Sequence, residues 1–523
     1  MKTISRREFN KKMSAGILGA MAVGSGIMPA KNYAEEKKSG KRPNFVFVCS
    51  DQHSAKYTGF AGHNFVQTPN MDRIAKRGVV FSSAYCGSPL CAPGRASMMT
   101  GMYPSDSNSF CNSTVMDNSY PSWGKRLRDS GYYCWAVGKQ DLNPNIDLGF
   151  VEEDVEHGHA TKPDITSLFR SPVGYRINER EGIDGSGRTT LHKDNIETAK
   201  AIQFLRNETK KMEKPWAVFV GLLEPHPAWT GLNKYFDYYL QKVEPYDVSI
   251  KELENLPLPY QIMRNFKRVS TPIPAEKIKR AMAAYFSMVS ELDEYVGQIY
   301  KCLEETDQLD NTYFIYTSDH GESLGDHGMW LKNNLYECDL KIPLVISNPS
   351  LPTHKTVDTP VAHVDLVATL IELAGIKAPS ELRGKSLIPL IEGKLDKDRF
   401  VYSESHSEGN PTGSFMIRKG DWKLIHFSYY SDYLFNLRED PGEKINRIND
   451  PGVKEIASEL RAILKAQVDP EDVTARAFNL QGKMLENFRD KMNEDELFNL
   501  FKSRMGDGQA RVIAKGLNKK NKK

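Results

Sequence analysis

A chain of 523 residues, 40% hydrophobic and 26% charged, is long enough to bury a large core and has the composition of an ordinary globular protein. Its 70 basic and 67 acidic residues leave a formal net charge of +3, so no global basic field indicates a nucleic acid partner. Basic charge gathers only at the C-terminus, where we expect a solvated tail rather than a binding patch, at Lys515, Lys519, Lys520, Lys522 and Lys523.

The first 34 residues have the composition of a targeting segment. Residues 5–9 read SRREF, followed by Lys11 and Lys12, and resemble the twin-arginine export signal of bacteria. A glycine-rich apolar stretch at 13–28 follows, and small residues lead to a cleavage point at Ala34. That stretch is too short and too weakly apolar to span a bilayer stably. We therefore expect export to the periplasm or the extracellular space of a bacterium, with a retained membrane anchor as the alternative.

Four apolar runs in the first three quarters of the chain read as buried strands. They are FVFVCSD at 45–51, WAVFVGLL at 216–223, TYFIYTSD at 312–319 and IPLVIS at 342–347. Between the second and third runs, residues 280–305 carry apolar side chains at helical spacing and predict a long amphipathic helix. Strands that alternate with helices predict an α/β fold with a large, mostly parallel sheet and helices on both faces.

The pattern changes after about residue 390. Short strands at 400–405, 415–427 and 433–437, with a turn at Lys419-Gly420-Asp421, predict an antiparallel meander. From about Glu455 the chain is charged and helical, with breaks predicted at Gly506 and Gly508. We therefore predict a catalytic α/β domain at 42–390, a smaller C-terminal α+β domain with an antiparallel sheet at 395–470 and a charged helical tail at 471–523.

The seven cysteines form no CxxC pair and no zinc-type cluster, so the sequence does not indicate structural zinc. An odd number in an exported protein leaves at least one thiol unpaired, and Cys91 is the candidate. Spacing does not determine the pairing of the other six, which are Cys49, Cys86, Cys111, Cys134, Cys302 and Cys338.

Two of the predicted strands end in the same kind of polar residues. The first run ends in Asp51-Gln52 and the third in Asp319-His320. Ligands of open α/β sheets gather beyond the carboxyl ends of the strands, so these side chains are expected at one edge. Three oxygen donors and an imidazole would bind a divalent cation there. For either strand alone, ordinary polar residues that cap helices are the simpler alternative.

A short motif at 88–101, SPLCAPGRASMMTG, provides the second functional signal. It resembles the sulfatase signature C-x-P-x-R, with Cys91 and Arg95 at the defining positions. In that family an enzyme oxidises the cysteine to formylglycine (3-oxoalanine). Taken alone, Cys91 could instead be a buried thiol in a loop that opens a helix.

Further segments resemble that family in the family's own order, over roughly residues 42–450. They are PNFVFVCSDQ at 43–52, GKQD at 138–141, PHP at 225–227, TSDHGESLGDHGMWLKNNLYE at 317–337, VDL at 364–366, LAGI at 373–376 and LFNL at 434–437 with Asp440-Pro441. The resemblance implies that 42–390 has the fold of the alkaline phosphatase superfamily.

Two departures from the family pattern stand out. Gln52 occupies a position where many members have a second aspartate, so the site loses a negative charge, which should weaken cation affinity. Asp141 occupies a position where many have histidine, and its carboxylate would repel a sulfate ester unless it is protonated or paired with Lys139. His320 replaces the asparagine of some members.

The resemblance also implies residue roles. Formylglycine at Cys91 would be the nucleophile, Arg95 would hold it or a ligand carboxylate, and His226 would be the general acid. Lys139 and Lys332 would neutralise the sulfate oxygens. Trp229 is a stacking platform for a sugar ring or a core residue, and Asp141 faces the substrate or a neighbouring base. The expected metal ligands are Asp51, Gln52, Cys91, Asp319 and His320, with Ca²⁺ favoured over Mn²⁺.

We therefore predict a sulfuric ester hydrolase that removes sulfate from a sulfated carbohydrate, with a sulfatase-maturating enzyme as its partner and no stable membrane span. One alternative is a phosphodiesterase or phosphonate monoester hydrolase of the same superfamily. The other is a catalytically silent glycan-binding protein, which the residues at positions 52 and 141 would favour.

Overall fold

The structure is a computed structural model that describes residues 41–161, 164–170, 175–245 and 250–519. The predicted export signal at 1–34 lies outside these ranges, as do the basic residues Lys520, Lys522 and Lys523. In the described ranges, no helix combines the length and the apolar composition that crossing a bilayer requires.

The strands follow one another in this order: β1 Asn44–Ser50, β2 Gly78–Phe81, β3 Ala84–Tyr85, β4 Tyr133–Lys139, β5 Val151–Glu156, β6 Ser186–Arg188, β7 Trp216–Gly221, β8 Thr230–Leu232, β9 Thr312–Ser318, β10 Lys341–Ile342, β11 Leu344–Ser347, β12 Lys355–Val357, β13 Val361–Ala362, β14 Phe400–Ser405, β15 Ser414–Lys419, β16 Trp422–Phe427 and β17 Tyr433–Asn436.

The α-helices are Pro69–Lys76, Cys91–Thr100, Pro104–Ser107, Trp123–Asp129, Gly158–Thr161, Ile177–Glu181, Asp194–Asn207, Asn233–Leu240, Ile250–Glu254, Leu258–Phe266, Ala275–Glu305, Glu337–Leu340, His363–Leu373, Ile388–Ile391, Lys454–Gln467, Pro470–Lys491, Glu494–Met505 and Asp507–Lys519. Short 3₁₀ helices lie at Ala55–Tyr57, Gly59–Ala61, Ile165–Leu168, Thr209–Lys211, Leu309–Asn311, Asp326–Gly328 and Pro451–Val453.

An eight-stranded sheet, in the order β12-β2-β11-β9-β1-β7-β4-β5, forms the centre of the fold. β1 lies between β9 and β7 and is parallel to both. Both faces are covered: Val46 and Val48 share a core cluster with Leu292 of the long helix, and on the other face Phe47 stacks on Trp123 at 5.6 Å between ring centroids. The prediction of a large, mostly parallel sheet between helices is confirmed.

The predicted IPLVIS strand differs from the other three, because β11 runs antiparallel to both β9 and β2. A parallel return requires a crossover, usually a helix, that carries the chain back to the opposite edge of the sheet. The connection from β9 to β11 has only the four-residue helix Glu337–Leu340 and the short β10, so the chain re-enters from the edge where β9 ended. The expectation that this strand matches the others is wrong.

The predicted antiparallel meander is present as a four-stranded sheet, β14-β15-β16-β17. β15 ends at Lys419 and β16 starts at Trp422, so the predicted turn joins them. From Arg42 onward the described residues belong to one compact unit. The division into parts at 42–390, 395–470 and 471–523 therefore stays a prediction.

The long helix and the tail differ in detail from their predictions. The helix begins at Ala275 rather than Arg280, directly after Pro274. In the tail, Gly506 ends one helix with a φ of 75°, as predicted, but Gly508 lies inside the next helix, so a break there is wrong. The side chain of Asp469 caps the start of the helix Pro470–Lys491, and that of Asn493 caps the start of Glu494–Met505, the helix that Gly506 ends. The tail is packed, because Phe501 is fully buried in a cluster that includes Leu90.

Candidate active site

Two aspartates begin the loops that follow neighbouring strands. β1 and β9 end in register, with Ser50 opposite Ser318, so Asp51 and Asp319 emerge side by side at the carboxyl edge of the sheet. Both carboxylates are fully buried. The backbone N–H of Gln52 donates to Asp319 Oδ1 at 3.0 Å, which ties the two loops together.

Cys91 starts a helix that abuts this edge. The preceding residue, Leu90, is extended, and Cys91 Sγ lies 3.8 Å from Asp51 Oδ1 and 3.4 Å from His320 Nε2. The helix comes this close because residue 94 is glycine: a Cβ there would lie 2.8 Å from the Asp319 carbonyl oxygen. The packing of this helix therefore places Cys91, the cysteine of the motif, beside the residues that follow β1 and β9.

Arg95, one turn after Cys91, is a fully buried cation between the two aspartates. Its Nε lies 2.8 Å from Asp319 Oδ2, and its Nη2 lies 3.3 Å from Asp51 Oδ2. Nη1 donates to the Lys139 carbonyl at 2.6 Å. Of the two predicted contacts for Arg95, the structure contains the one to the ligand carboxylates.

The two buried carboxylates differ in their ionisation. Burial and the Cys91 sulfur oppose charge on Asp51, but Lys139 and the other nearby cations outweigh them and hold the pKa of Asp51 below its usual range. Burial and the neighbouring charge of Asp51 raise the pKa of Asp319 despite its contact with Arg95. Like charges this close in the interior require a further positive charge between them.

Two lysines point at position 91. Lys332 Nζ lies 2.9 Å from Cys91 Sγ, while Lys139 Nζ lies 3.9 Å from the same sulfur and 2.6 Å from Asp51 Oδ2. Burial opposes ionisation of the thiol, yet Lys139 and Lys332 lower the pKa of Cys91 well below its usual range. The pocket thus stabilises negative charge at this position.

The predicted metal ligands converge. One candidate ligand atom from each of Asp51, Cys91, Asp319 and His320 lies within 4.8 Å of the others, and all four residues are buried. The Gln52 amide donates through Nε2 to Glu322, while its Oε1 is buried and accepts no hydrogen bond from the described residues. A buried carbonyl oxygen without a donor is a free ligand for a cation.

His226 lies in the Pro-flanked loop after β7 and is partly exposed. Its Nδ1 is 2.5 Å from the Pro227 carbonyl oxygen, so this nitrogen carries the hydrogen and Nε2 is the nitrogen left to contact Cys91. Burial and the charge of Lys332 lower the pKa of His226, while a hydrogen bond to Cys91 acts in the opposite direction. The loop therefore presents an imidazole at position 91, and the role of His226 as the general acid stays a prediction.

The sequence did not predict a second imidazole, His159. It lies in the helix Gly158–Thr161, and one of its ring nitrogens, one Asp141 oxygen and Cys91 Sγ are all within 4.8 Å of one another. Burial alone would lower the pKa of His159, but its contacts with Cys91 and Asp141 raise it. The only signal in the sequence was indirect, namely the carboxylate of Asp141 where the family pattern has an imidazole.

Both carboxylate oxygens of Asp141 lie close to positively polarised groups. Its Oδ2 lies 3.4 Å from Lys139 Nζ, and its Oδ1 accepts the backbone N–H of His159 at 2.7 Å. Asp141 is therefore paired with Lys139. This pairing is one of the two conditions under which a carboxylate beside a sulfate ester is not expected to repel it.

Trp229 is separate from this group. It is 2% exposed and packs against Trp330 and Tyr285, with ring centroids 6.2 and 6.3 Å apart. This burial supports the alternative in which Trp229 is a core residue. The seven cysteines are all buried free thiols. The structure brings together around position 91 the predicted residues Asp51, Arg95, Lys139, Asp141, His226, Asp319, His320 and Lys332. Gln52 directly follows Asp51, and its side chain contacts Glu322.

Comparison with protein families gives two matches. The sulfatase family model matches residues 43–376. The model described as N-sulphoglucosamine sulphohydrolase, C-terminal, matches residues 325–469. Together they span the eight-stranded sheet, the residues around Cys91 and the C-terminal four-stranded sheet.

Similar proteins include a choline-sulfatase of Rhizobium meliloti (strain 1021), 30% identical over 428 residues that cover 78% of this chain and 83% of that one. Arylsulfatase K of Danio rerio is 29% identical over 497 residues, 91% of each chain. Among solved structures, a 2-O GAG sulfatase has a TM-score of 0.63 at 25% identity, covering 82% of this chain and 92% of that one. The phosphonate monoester hydrolase of Agrobacterium radiobacter shares the fold, with a TM-score of 0.67 at 22% identity over 82% and 96%.

Proposed function

Because this chain belongs to the sulfatase family, we propose that it removes sulfate from a sulfated carbohydrate, using formylglycine made from Cys91 and a divalent cation bound beside it. One observation carries the proposal: Cys91, Asp51, Asp319 and His320 come within 4.8 Å of one another in a buried pocket. The carbohydrate is supported by the similarity to a 2-O GAG sulfatase. We further propose that the chain is exported from its cell and matured by a sulfatase-maturating enzyme.

The residues present fit a divalent cation. Asp51, Asp319 and Gln52 offer oxygen, His320 offers an imidazole, and the free Oε1 of Gln52 lacks a donor among the described residues. Mostly oxygen donors favour Ca²⁺, and the imidazole leaves Mn²⁺ as the alternative. A cation here would supply the positive charge that the two buried carboxylates need and would polarise the group at position 91.

The hydrated aldehyde at position 91 would supply a hydroxyl that attacks sulfur and a second hydroxyl through which sulfate is expelled, which a thiol or a serine lacks. Lys139 and Lys332 neutralise the sulfuryl oxygens, since their ammonium groups already face position 91. Arg95 forms ion pairs with Asp51 and Asp319 and holds both carboxylates in place. His226, when its ring is the doubly protonated imidazolium, gives the Nε2 proton to the leaving alcohol, while Nδ1–H stays bonded to the Pro227 carbonyl.

Mass spectrometry and a cysteine variant test this proposal. In protein co-expressed with a maturating enzyme, we expect the peptide around Cys91 to show the mass change from thiol to aldehyde. Cys91→Ala should abolish turnover of a nitrophenyl sulfate while the protein stays folded. The control Cys302→Ala removes a buried cysteine of the long helix whose sulfur contacts the Ile202 carbonyl rather than any residue around position 91, and it should retain turnover.

Substrate panels separate the alternatives. We expect the wild type to cleave nitrophenyl sulfate faster than a nitrophenyl phosphodiester or phosphonate, and sulfated saccharides faster than choline sulfate. A preference for the phosphorus esters would identify a phosphonate monoester hydrolase or phosphodiesterase instead. Activity in Cys91→Ala would contradict the mechanism. If the matured wild type cleaves none of these esters, the result would favour the hypothesis of a catalytically silent glycan-binding protein.

A further inference from the structure

Besides His320, which belongs to the proposed cation site, two imidazoles lie beside position 91, those of His226 and His159. Of these two, the proposed chemistry has so far used only His226. We propose that His159, held in place by Asp141, is a second catalytic histidine that accepts the proton leaving position 91 when sulfate departs. This inference rests on the proposed function. It assigns a task to a residue that lies 18 positions after Asp141 and outside every short motif of the sequence.

The first argument is the position of His159. A ring nitrogen lies within 4.8 Å of Cys91 Sγ, the atom that stands in for the oxygens of the modified side chain. His159 is partly exposed, as is His226, while Cys91 is fully buried. Both imidazoles therefore border the open side of the pocket, from which an ester would approach the residue at position 91.

The second argument is that hydrogen bonds and close packing against Asp141 fix the position of His159. Asp141 Oδ1 accepts its backbone N–H at 2.7 Å, and Asp141 Oδ2 lies 3.8 Å from its Nε2. A Cβ on Gly158 would lie 2.5 Å from Asp141 Oδ1, so the helix reaches the carboxylate only because residue 158 is glycine. The backbone N–H groups of Gln140 and Asp141 both donate to the Glu156 carbonyl, at 2.9 and 3.0 Å. These hydrogen bonds fix the turn that carries His159 against the loop that directly follows Lys139.

The third argument is the difference between the two histidines. A carboxylate beside an imidazole stabilises the imidazolium that forms when the ring accepts a proton. His159 has that partner in Asp141, whereas Nδ1 of His226 faces the neutral carbonyl of Pro227. His159 is therefore better suited to accept a proton, and His226 to donate one to the leaving alcohol.

The release step then balances. The O–H bond of the hydroxyl at position 91 breaks, and the proton bonds to the ring nitrogen of His159 that lies near position 91. The electron pair left on that oxygen closes the carbonyl as the C–O bond to sulfate breaks, and sulfate leaves with that bond's pair. Asp141 and Lys139 keep His159 in place throughout, and no oxidant or further reactant is needed.

The test compares His159→Gln with His157→Gln, both matured by co-expression and corrected for the measured aldehyde content. His157 is a matched control from the same turn, because its ring contacts the Leu142 carbonyl at 2.9 Å and Glu152 at 3.1 Å. Rapid quench with nitrophenyl sulfate gives the first-turnover burst of nitrophenol, and intact mass of the quenched protein gives covalently bound sulfate.

We expect His159→Gln to keep the burst, to lose about 10²–10⁴-fold in steady-state turnover, and to carry bound sulfate during turnover. Asp141→Asn should show the same pattern with a smaller loss. His157→Gln should match the wild type. A merely structural role for His159 would lower the burst and the turnover together and leave no sulfate on the protein.

Turnover in His159→Gln equal to that of His157→Gln, or a loss of turnover without bound sulfate, would overturn the inference. If His159→Gln does not fold, His159→Asn and Asp141→Asn carry the same comparison. Failure of the proposed function looks different, because the wild type itself would then lack the aldehyde, the burst or both.

Discussion

At the scale of single residues, position 52 shows how this site differs from the family pattern. Gln52 has a φ of 68°, its backbone carbonyl accepts the Tyr285 hydroxyl at 2.8 Å, and its amide donates to Glu322. Burial and Asp339 raise the pKa of Glu322 to about 8, so a second carboxylate at position 52 would face an already crowded acid. An amide at this position would offer an oxygen to a cation without adding to that charge.

Gln52→Ala tests whether this oxygen binds a cation. We expect at least about a tenfold weaker affinity for Ca²⁺ in chelator-treated protein, because one ligand oxygen is lost. Isothermal titration calorimetry measures it. Gln481→Ala removes another buried glutamine, one that contacts Arg170 and the His406 carbonyl, and should bind Ca²⁺ like the wild type. Equal affinities in the two variants would show that Gln52 is not a ligand.

At the scale of elements, the helix Cys91–Thr100 matters because of where it starts. Its residues are all buried, and its first turn packs on the backbone that follows β9. A Cβ at Gly94 would lie 2.8 Å from the Asp319 carbonyl and 2.9 Å from the Ser88 carbonyl, and neither backbone atom can rotate away. The distance between Cys91 and the two aspartates therefore depends on this glycine.

Gly94→Ala should lower the free energy of unfolding by about 1–3 kcal/mol, because the helix must shift away from the Asp319 loop. Urea denaturation measures this, and nitrophenyl sulfate turnover should fall with it. The control is Gly482→Ala, in an exposed position of the helix Pro470–Lys491 with nothing within 4 Å of the added Cβ. That change should stabilise the protein by about 1 kcal/mol. A stable, fully active Gly94→Ala would refute the close packing.

At the scale of the whole molecule, the C-terminal helices are part of the core rather than an appendage. Phe501 is fully buried, and its ring centroid lies 5.4 Å from that of Phe169. The same cluster includes Leu90, the residue before Cys91. The last helices therefore support the segment that presents the proposed nucleophile.

Phe501→Ala should cost about 3–5 kcal/mol of unfolding free energy, since it leaves a cavity in that cluster. Phe498 lies on the same helix, is only partly buried and contacts Lys502 and Arg511 through its ring face, so Phe498→Ala should cost much less. Denaturant titration of both variants measures the difference. If both substitutions lower the free energy of unfolding by the same small amount, the C-terminal helices are not part of the hydrophobic core.

Local chemistry was enough to predict much of this protein. The runs at 45–51, 216–223 and 312–319 carry apolar side chains on both sides of the strand, because both faces of the sheet are covered and these side chains are buried. The turn at Gly420 marked the C-terminal meander, and the spacing of Cys91 and Arg95 placed both on one helical turn. Residues that end adjacent parallel strands meet at one edge, so Asp51 and Asp319 could be expected together.

Contacts between distant segments needed the tertiary structure. The direction of β11, the burial of Trp229 and the meeting of Asp141 with His159 depend on how loops close and which strands neighbour each other. Apolar periodicity reports which faces of an element are buried, but it carries no information on where a turn 18 residues away will lie. His159 reaches position 91 because the Gln140–Asp141 loop is hydrogen-bonded to the end of β5 at Glu156, and no short pattern encodes that contact.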